Sequence, residues 1–378
     1  MVYTRMKKTI TDYFAVLPDP RRDKCKKHLL LDIITIAILA VIGGADNFVE
    51  IEEFGEAKEE WLKSFLRLEN GIPSHDTFRR VFGLIDPIEF RECFWGWISA
   101  IKTTTKQEVV AVDGKTLCGS IDRAAEKGAL QMVSAWACES QLSLGQLRCE
   151  EKSNEITAIP ELLKLLELEG CIVTIDAMGC QTEIVKQIVW QGADYQISLK
   201  GNQGILHEEV REYFQWARKI NFREIEFDYF ESIEKDHERI EQRRCWVVED
   251  VEWLSSYEKW SGLRSLAAVE VEREELATGK KSCETRYFIS SLEAAAKLQC
   301  ETARRHWQIE NSLHWVLDVA FREDFSRLRK DSAPENFAAL RQIALNLLKQ
   351  NKQTKVGVKA KRLRAGWDNE FLWNTLQN

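Results

Sequence analysis

In the first hundred residues apolar positions recur every three or four residues, a spacing that predicts helices over residues 29–42, 48–68, 77–85 and 87–101. The most apolar of these, 29–42, is about 14 residues long and contains Asp32, short of the ~20 residues a membrane span requires, so it reads as a buried helix. From Val109 onward the pattern changes to short β-branched runs. Strands are expected over 109–113, 130–138 and 142–149, the last two joined as a hairpin through Glu139-Ser-Gln141. A helix over 155–168, a strand over 172–176, a helix over 181–191 and a strand over 194–199 follow, and the last runs into Lys200-Gly-Asn-Gln203. A second β-rich stretch, 222–290, offers strands over 224–233, 243–248, 266–271 and 286–290 between charged turns.

The order β, β, β, α, β, α, β is that of a ribonuclease H-like core. In such a sheet the first and fourth strands lie side by side, and here each ends in an acid, Asp113 and Asp176. Carboxylates converging at one sheet edge can hold two Mg²⁺ ions ~4 Å apart, one activating a water or a 3′-hydroxyl and the other stabilising the leaving oxygen of a phosphodiester. A third acid is then expected on a C-terminal helix. In Arg304-Arg-His-Trp-Gln-Ile-Glu310-Asn-Ser-Leu-His-Trp-Val-Leu-Asp318, the residues His306, Glu310, His314 and Asp318 recur every four positions and share one helix face. Trp307, Ile309, Leu313 and Leu317 form the opposite, apolar side, suited to packing on a sheet.

Composition qualifies the choice of partner. The 378 residues carry a net charge of −7, which by itself argues against nucleic acid. The basic residues are clustered, however: Lys349, Lys352, Lys355, Lys359, Lys361, Arg362 and Arg364 fall in one acid-free run, and Arg21, Arg22, Lys24, Lys26 and Lys27 in another. Ser74 after a Gly/Pro turn is a plausible N-cap for a helix bearing Arg79 and Arg80, compatible with a helix-turn-helix reader or an ordinary helix hairpin. Ten scattered cysteines without a C-x-x-C pair suit reduced, buried thiols. No signal-peptide pattern opens the chain, so a cytoplasmic, nucleoid-associated protein is expected. Gly114-Lys-Thr116 lacks the leading glycine of a P-loop, and Lys115 stands where a phosphatase would need a second acid.

Five ordered motifs carry a family resemblance: Val112-Asp-Gly-Lys-Thr-Leu117, Glu151-Lys-Ser-Asn-Glu-Ile-Thr-Ala-Ile-Pro160, Ile175-Asp-Ala-Met-Gly-Cys-Gln181, Lys200-Gly-Asn-Gln203 and His306-Trp-Gln-Ile-Glu310 with its continuation to Val319. Together they resemble the insertion-sequence DDE transposases, in particular the branch of H-repeat-associated proteins. The resemblance extends through Leu17-Pro-Asp-Pro-Arg-Arg22, Ile42-Gly-Gly-Ala45 and Gly71-Ile-Pro-Ser-His-Asp-Thr77, nearly the whole chain. It implies an α/β fold: a ribonuclease H-like mixed sheet with flanking helices, preceded by an all-helical N-terminal domain and interrupted by a β-rich insertion. The expected division is 1–104 for the helical DNA-binding or accessory domain, 105–203 for the first part of the core, 204–296 for the insertion, 297–350 for the catalytic helix and 351–378 for a basic tail.

The activity implied is metal-dependent DNA cleavage and strand transfer on Asp113, Asp176 and Glu310, with Mg²⁺ as cofactor and Mn²⁺ as substitute. A homodimer would assemble on double-stranded DNA, the terminal repeats and the target. Expected DNA contacts are Lys200, Asn202, Gln203, Arg304, Arg305, His306, His314, Arg79, Arg80, Arg243 and Arg244. Arg239, Trp246, Trp253 and Trp260 are further candidates in the insertion. The wider class has Tyr, Arg and Lys around its third acid, where this chain has Ala303, His306 and Leu317. A DNA-binding remnant without catalysis and an end-cutting nuclease without strand transfer are the alternatives.

Overall fold

The computed structural model describes residues 8–102, 107–121, 128–149, 155–236 and 238–377. Six helices open it: α1 (Ile10–Phe14), α2 (Leu30–Ile42), α3 (Phe48–Ala57), α4 (Glu59–Leu62), α5 (His75–Leu84) and α6 (Pro87–Ile101). α2 is apolar around nearly its whole circumference, and all its residues but Leu31 are buried. The helix expected over 48–68 breaks at Lys58 into α3 and α4. α1 falls outside every expected helix.

Next come β1 (Val109–Leu117), β2 (Leu130–Ala137), β3 (Leu142–Arg148), α7 (Glu155–Lys164), β4 (Ile172–Ile175), α8 (Thr182–Trp190) and β5 (Asp194–Leu199). β1, β2 and β3 form an antiparallel meander, while β4 and β5 run parallel to β1, so β1 and β4 are neighbours as expected. Val109 to Val112 and all of β4 are buried on both faces, the mark of central strands covered on both sides.

The insertion contributes α9 (Gly204–Lys219), β6 (Asp228–Asp236), β7 (Arg239–Val248), β8 (Ser265–Glu275) and β9 (Lys281–Ser290). β9 pairs antiparallel with β5, from Gln196 opposite Ser290 to Leu199 opposite Tyr287. One nine-stranded mixed sheet results, in the order β3-β2-β1-β4-β5-β9-β8-β7-β6. The insertion therefore extends the core sheet.

The chain closes with α10 (Ala296–His306), a π-helical turn at Ile309–His314, α11 (Trp315–Phe321), α12 (Ala333–Gln350), α13 (Val358–Trp367) and α14 (Asn369–Leu376). α12 joins the N-terminal helices to the sheet. Its Asn336 donates to the carbonyls of Phe82 and Ile85, and its Asn346 exchanges two bonds with the backbone of Ser143 in β3. One apolar core runs from Ile10 to Leu376, and a smaller one lies between α10 and the insertion strands.

Residues 351–377, expected as a basic tail, pack as α13 and α14, and three basic residues of the run from Lys349 to Arg364 serve the interior. Arg362 donates to the carbonyls of Val41, Ala45 and Ala320 and to Asp46; Lys361 donates to those of Leu348 and Asn351; Lys349 lies over the Trp136 ring. In the N-terminal cluster Arg21 is likewise buried, paired with Asp19 at 2.8 Å.

Candidate active site

The parallel register of β1 and β4 sets Val112 beside Ile175, so the residues that follow, Asp113 and Asp176, emerge together where the two strands part. β1 does not end at Asp113, contrary to expectation. It stays paired with β2 as far as Leu117 opposite Leu130, because only its partner β4 stops. Asp176 caps a short 3₁₀ turn: its Oδ1 accepts the N–H of Met178 at 3.0 Å and of Gly179 at 3.3 Å. That fixes the carboxyl of a residue that lines the cavity.

The third acid arrives on a helix of a different kind from the one expected. α10 ends at His306, and a π-helical turn carries Ile309 to His314 before α11 resumes. Such turns add a residue to the helix and are frequent at functional sites. Ile309, Leu313 and Leu317 face the core as expected, but Trp307 is 47% exposed. Glu310 and His314 both turn toward Asp113. His314 Nδ1 lies 3.2 Å from Glu310 Oε2 and 3.5 Å from Asp113 Oδ2, with its side chain only 4% exposed. One ligand atom from each of Asp113, Glu310 and His314 lies within 4.8 Å of the others.

The electrostatics follow from this crowding. Burial, opposed by His314 and reinforced by the charges of Asp176 and Glu310, pushes the Asp113 carboxyl up to about 6. The hydrogen bond from His314 holds Glu310 below the usual carboxylate range. Burial drives His306 down to about 4, leaving a neutral ring whose Nδ1 meets the Thr174 hydroxyl on β4 at 3.1 Å. The cavity of about 340 Å³ above the acids is lined by Asp113, Asp176, Glu310, His306, Lys200 and Arg286, among others.

The expected DNA contacts separate into groups. Lys200 stands exposed at the cavity wall. Asn202 and Gln203 are tethers, donating to the carbonyls of Ala177 at 2.5 Å and Cys180 at 2.8 Å, and so binding the Lys200 turn to the Asp176 turn. His314, with its side chain 4% exposed, is engaged with Glu310 and Asp113, and the neutral His306 lines the cavity but offers phosphate no charge. Arg304 pairs with Glu234, Arg305 with Glu139 at 2.6 Å, Arg243 with Glu241 at 2.7 Å and Arg244 with Glu270 at 2.9 Å. Arg79 pairs with Asp76 at 2.7 Å, and Arg80 is exposed on α5. Ser74 occupies the N-cap position of α5 without a capping hydrogen bond. Trp260 is buried, Trp246 lies under Arg218, and Trp253 stacks on Tyr213, so these rings are already engaged within the protein.

Three nearby residues escaped the sequence reading. Arg286 of β9 lies over the Trp307 ring at 4.6 Å and borders both the acid cavity and a second hollow of about 920 Å³. Lys115, two residues beyond Asp113 and so on the same strand face, pairs with Asp318 and with Glu323 at 3.0 Å. Its alternation with Asp113 was the available signal. Glu155, at the start of α7, comes against Gly114.

Residues 104–347 match the family described as the transposase DDE domain, and residues 11–98 match the DDE_Tnp_1-associated family. The chain belongs to the DDE transposase family. It is 40% identical to the H repeat-associated protein YhhI of Escherichia coli strain K12 over 98% of each chain. To YncI of Escherichia coli O157:H7 it is 41% identical over 97% of this chain and 94% of that one. A cryo-EM structure of the piggyBac transposase synaptic complex with hairpin DNA has a TM-score of 0.44 to this transposase at 10% identity, covering 97% of this chain and 77% of that one. At that distance the chemistry has to be read from the residues of this chain.

Proposed function

We propose that this transposase cuts DNA at the ends of an insertion element and joins the freed 3′-hydroxyl to target DNA, using Asp113, Asp176 and Glu310 as its metal-holding carboxylates. The observation that carries the reading is the convergence of Asp113, Glu310 and His314 beside Asp176 at the edge of the central sheet. Carboxylate oxygens suit Mg²⁺ or Mn²⁺, and a 4%-exposed histidine aimed among them is the kind of group that orients a ligand. Bound there, two such cations would supply activation of the attacking oxygen and charge stabilisation at the leaving one.

The chain's own residues do the rest. Two backbone N–H groups fix Asp176, His314 holds Glu310, and the sheet edge fixes Asp113. Lys200 places positive charge on the cavity wall, where a phosphate would need it, and Arg286 beside it is held by Glu284 at 2.8 Å and would have to leave that pair to add a second. His306 supplies a neutral wall. Working on two element ends calls for two copies of the chain on DNA, so a homodimer in the complex belongs to the same proposal.

Labelled duplexes bearing the flanking terminal repeats test it. Wild type is expected to nick at the repeat boundary with Mg²⁺, while Asp176→Ala and Glu310→Ala bind without cutting. One observation favours a binding-only reading: Leu317 is buried and His306 neutral where the wider class has Lys and Arg. Binding without cleavage in either Mg²⁺ or Mn²⁺ would decide for it, and cleavage without joining to target would decide for a nuclease.

A further inference from the structure

Glu155 is the acid that this mechanism leaves without a task. It opens α7, is half-buried, and its carboxylate lies against the backbone of Gly114. A Cβ built on that glycine would stand 2.0 Å from Oε1 and 2.6 Å from Oε2. Gly114 follows Asp113 directly, pairs with Val133 inside β1 and is not among the glycines of positive φ. Backbone conformation therefore gives no reason for glycine here; the carboxylate gives one. Among the described residues no cation and no hydrogen-bond donor pairs with Glu155. Besides burial, the influences on it are the charges of Asp113 and Asp176, and more weakly His314. A half-buried carboxylate set against the residue that follows Asp113, within reach of like charge and without a paired cation, is unfavourable until a cation arrives.

We infer that Glu155 is a fourth carboxylate ligand of the divalent-cation site, and that Gly114 lacks a side chain so that this carboxylate can reach it. The inference rests on the reading of Asp113, Asp176 and Glu310 as a metal centre. Four carboxylates match the charge of two divalent cations before any phosphate enters, a balance that three do not reach.

The test is Mn²⁺ binding to the full-length, DNA-free protein, followed by calorimetric titration and by the Tm gained with Mn²⁺. Four proteins are compared: wild type, Glu155→Gln, Gly114→Ala and Asp176→Ala. Gly114→Ala removes no carboxylate. It pushes the flexible end of Glu155 aside, and the strand backbone accepts alanine, so it reports even if Glu155→Gln fails to fold. Glu155→Gln and Gly114→Ala are each expected to weaken Mn²⁺ binding about tenfold to a hundredfold, with matching loss of the Tm gain. Titrations of both variants that superpose on wild type overturn the inference. If Asp176→Ala loses Mn²⁺ in that case, the metal-centre reading stands and only Glu155 is excluded. Wild type that binds no Mn²⁺ overturns both.

Discussion

Asp113 and His306 share one cavity and respond to acid in opposite directions. Burial and its acidic neighbours raise Asp113 to about 6, so its ionised form costs the fold stability, and that cost disappears as pH falls from about 6 toward 4. His306 is lowered to about 4, so its stabilising contribution is complete above about 6.5 and is lost as pH falls through 4. Asp113→Asn is accordingly expected to stabilise the metal-free protein near neutral pH by roughly 1–3 kcal/mol, while abolishing cleavage. His306→Asn should remove part of the acid-side loss. Denaturant midpoints measured across this pH range check both, and slopes unchanged from wild type would sink the argument. A proton competes with the cation for the raised Asp113 carboxyl, so Mg²⁺ affinity should weaken as pH falls, which titrations at several pH values check. His314→Ala removes the group that holds Glu310, with an expected loss of about ten- to a hundredfold in cleavage or metal affinity. A kinetic assay at saturating Mn²⁺ separates the two, since weakened affinity recovers there and misplacement of Glu310 does not.

At the scale of elements, legibility followed apolar patterning. β4 is apolar but for Thr174 and β5 alternates apolar Tyr195, Ile197 and Leu199 with polar residues, and the expected bounds of both lie within a residue of those observed. β7, β8 and β9 run longer than expected because their outer halves are held by cross-strand charge, as in Arg244 with Glu270 at 2.9 Å and Arg273 with Glu241 at 3.4 Å, which apolar periodicity cannot register. Their union with β5 was equally hidden, since strand pairing between distant segments leaves no mark in local sequence. Asp113 and Asp176 were legible as acids following β-branched runs, although β1 continues past Asp113, and Glu310 as an acid on a helix. The π-helical turn that delivers Glu310 was not, because a four-residue stripe reads the same with or without one inserted residue. Basic clustering misled at α13, where Arg362 reads as surface charge but spans the gap between α2 and α11. Arg362→Met leaves three carbonyls and Asp46 without their donor, an expected loss of about 3–5 kcal/mol. A denaturant midpoint equal to wild type would return Arg362 to the surface-charge reading.

Over the whole molecule, the net charge of −7 coexists with a hollow of about 920 Å³ lined by Arg239, Arg243, Arg273, Arg286, Arg304 and Arg305, beside the acid cavity. Most of these cations are already neutralised: Glu234 takes Arg304 and lies 3.3 Å from Arg243, and Glu241 takes Arg243 and Arg273. A DNA phosphate entering the hollow must therefore displace a carboxylate to gain an arginine, which lowers both affinity and its dependence on salt. Lys200 forms no ion pair within 4 Å among the described residues, though its charge reaches Glu284, so Lys200→Ala should reduce the slope of log affinity against log salt by about one. Glu234→Gln should do the reverse. It frees Arg304 and relieves Arg243, so binding to a terminal-repeat duplex is expected to tighten and its salt slope to steepen. Fluorescence anisotropy over a KCl series measures both quantities. If Glu234→Gln leaves slope and affinity where they were, the hollow lies off the DNA path and the arginine pairs around it serve only to hold the insertion strands together.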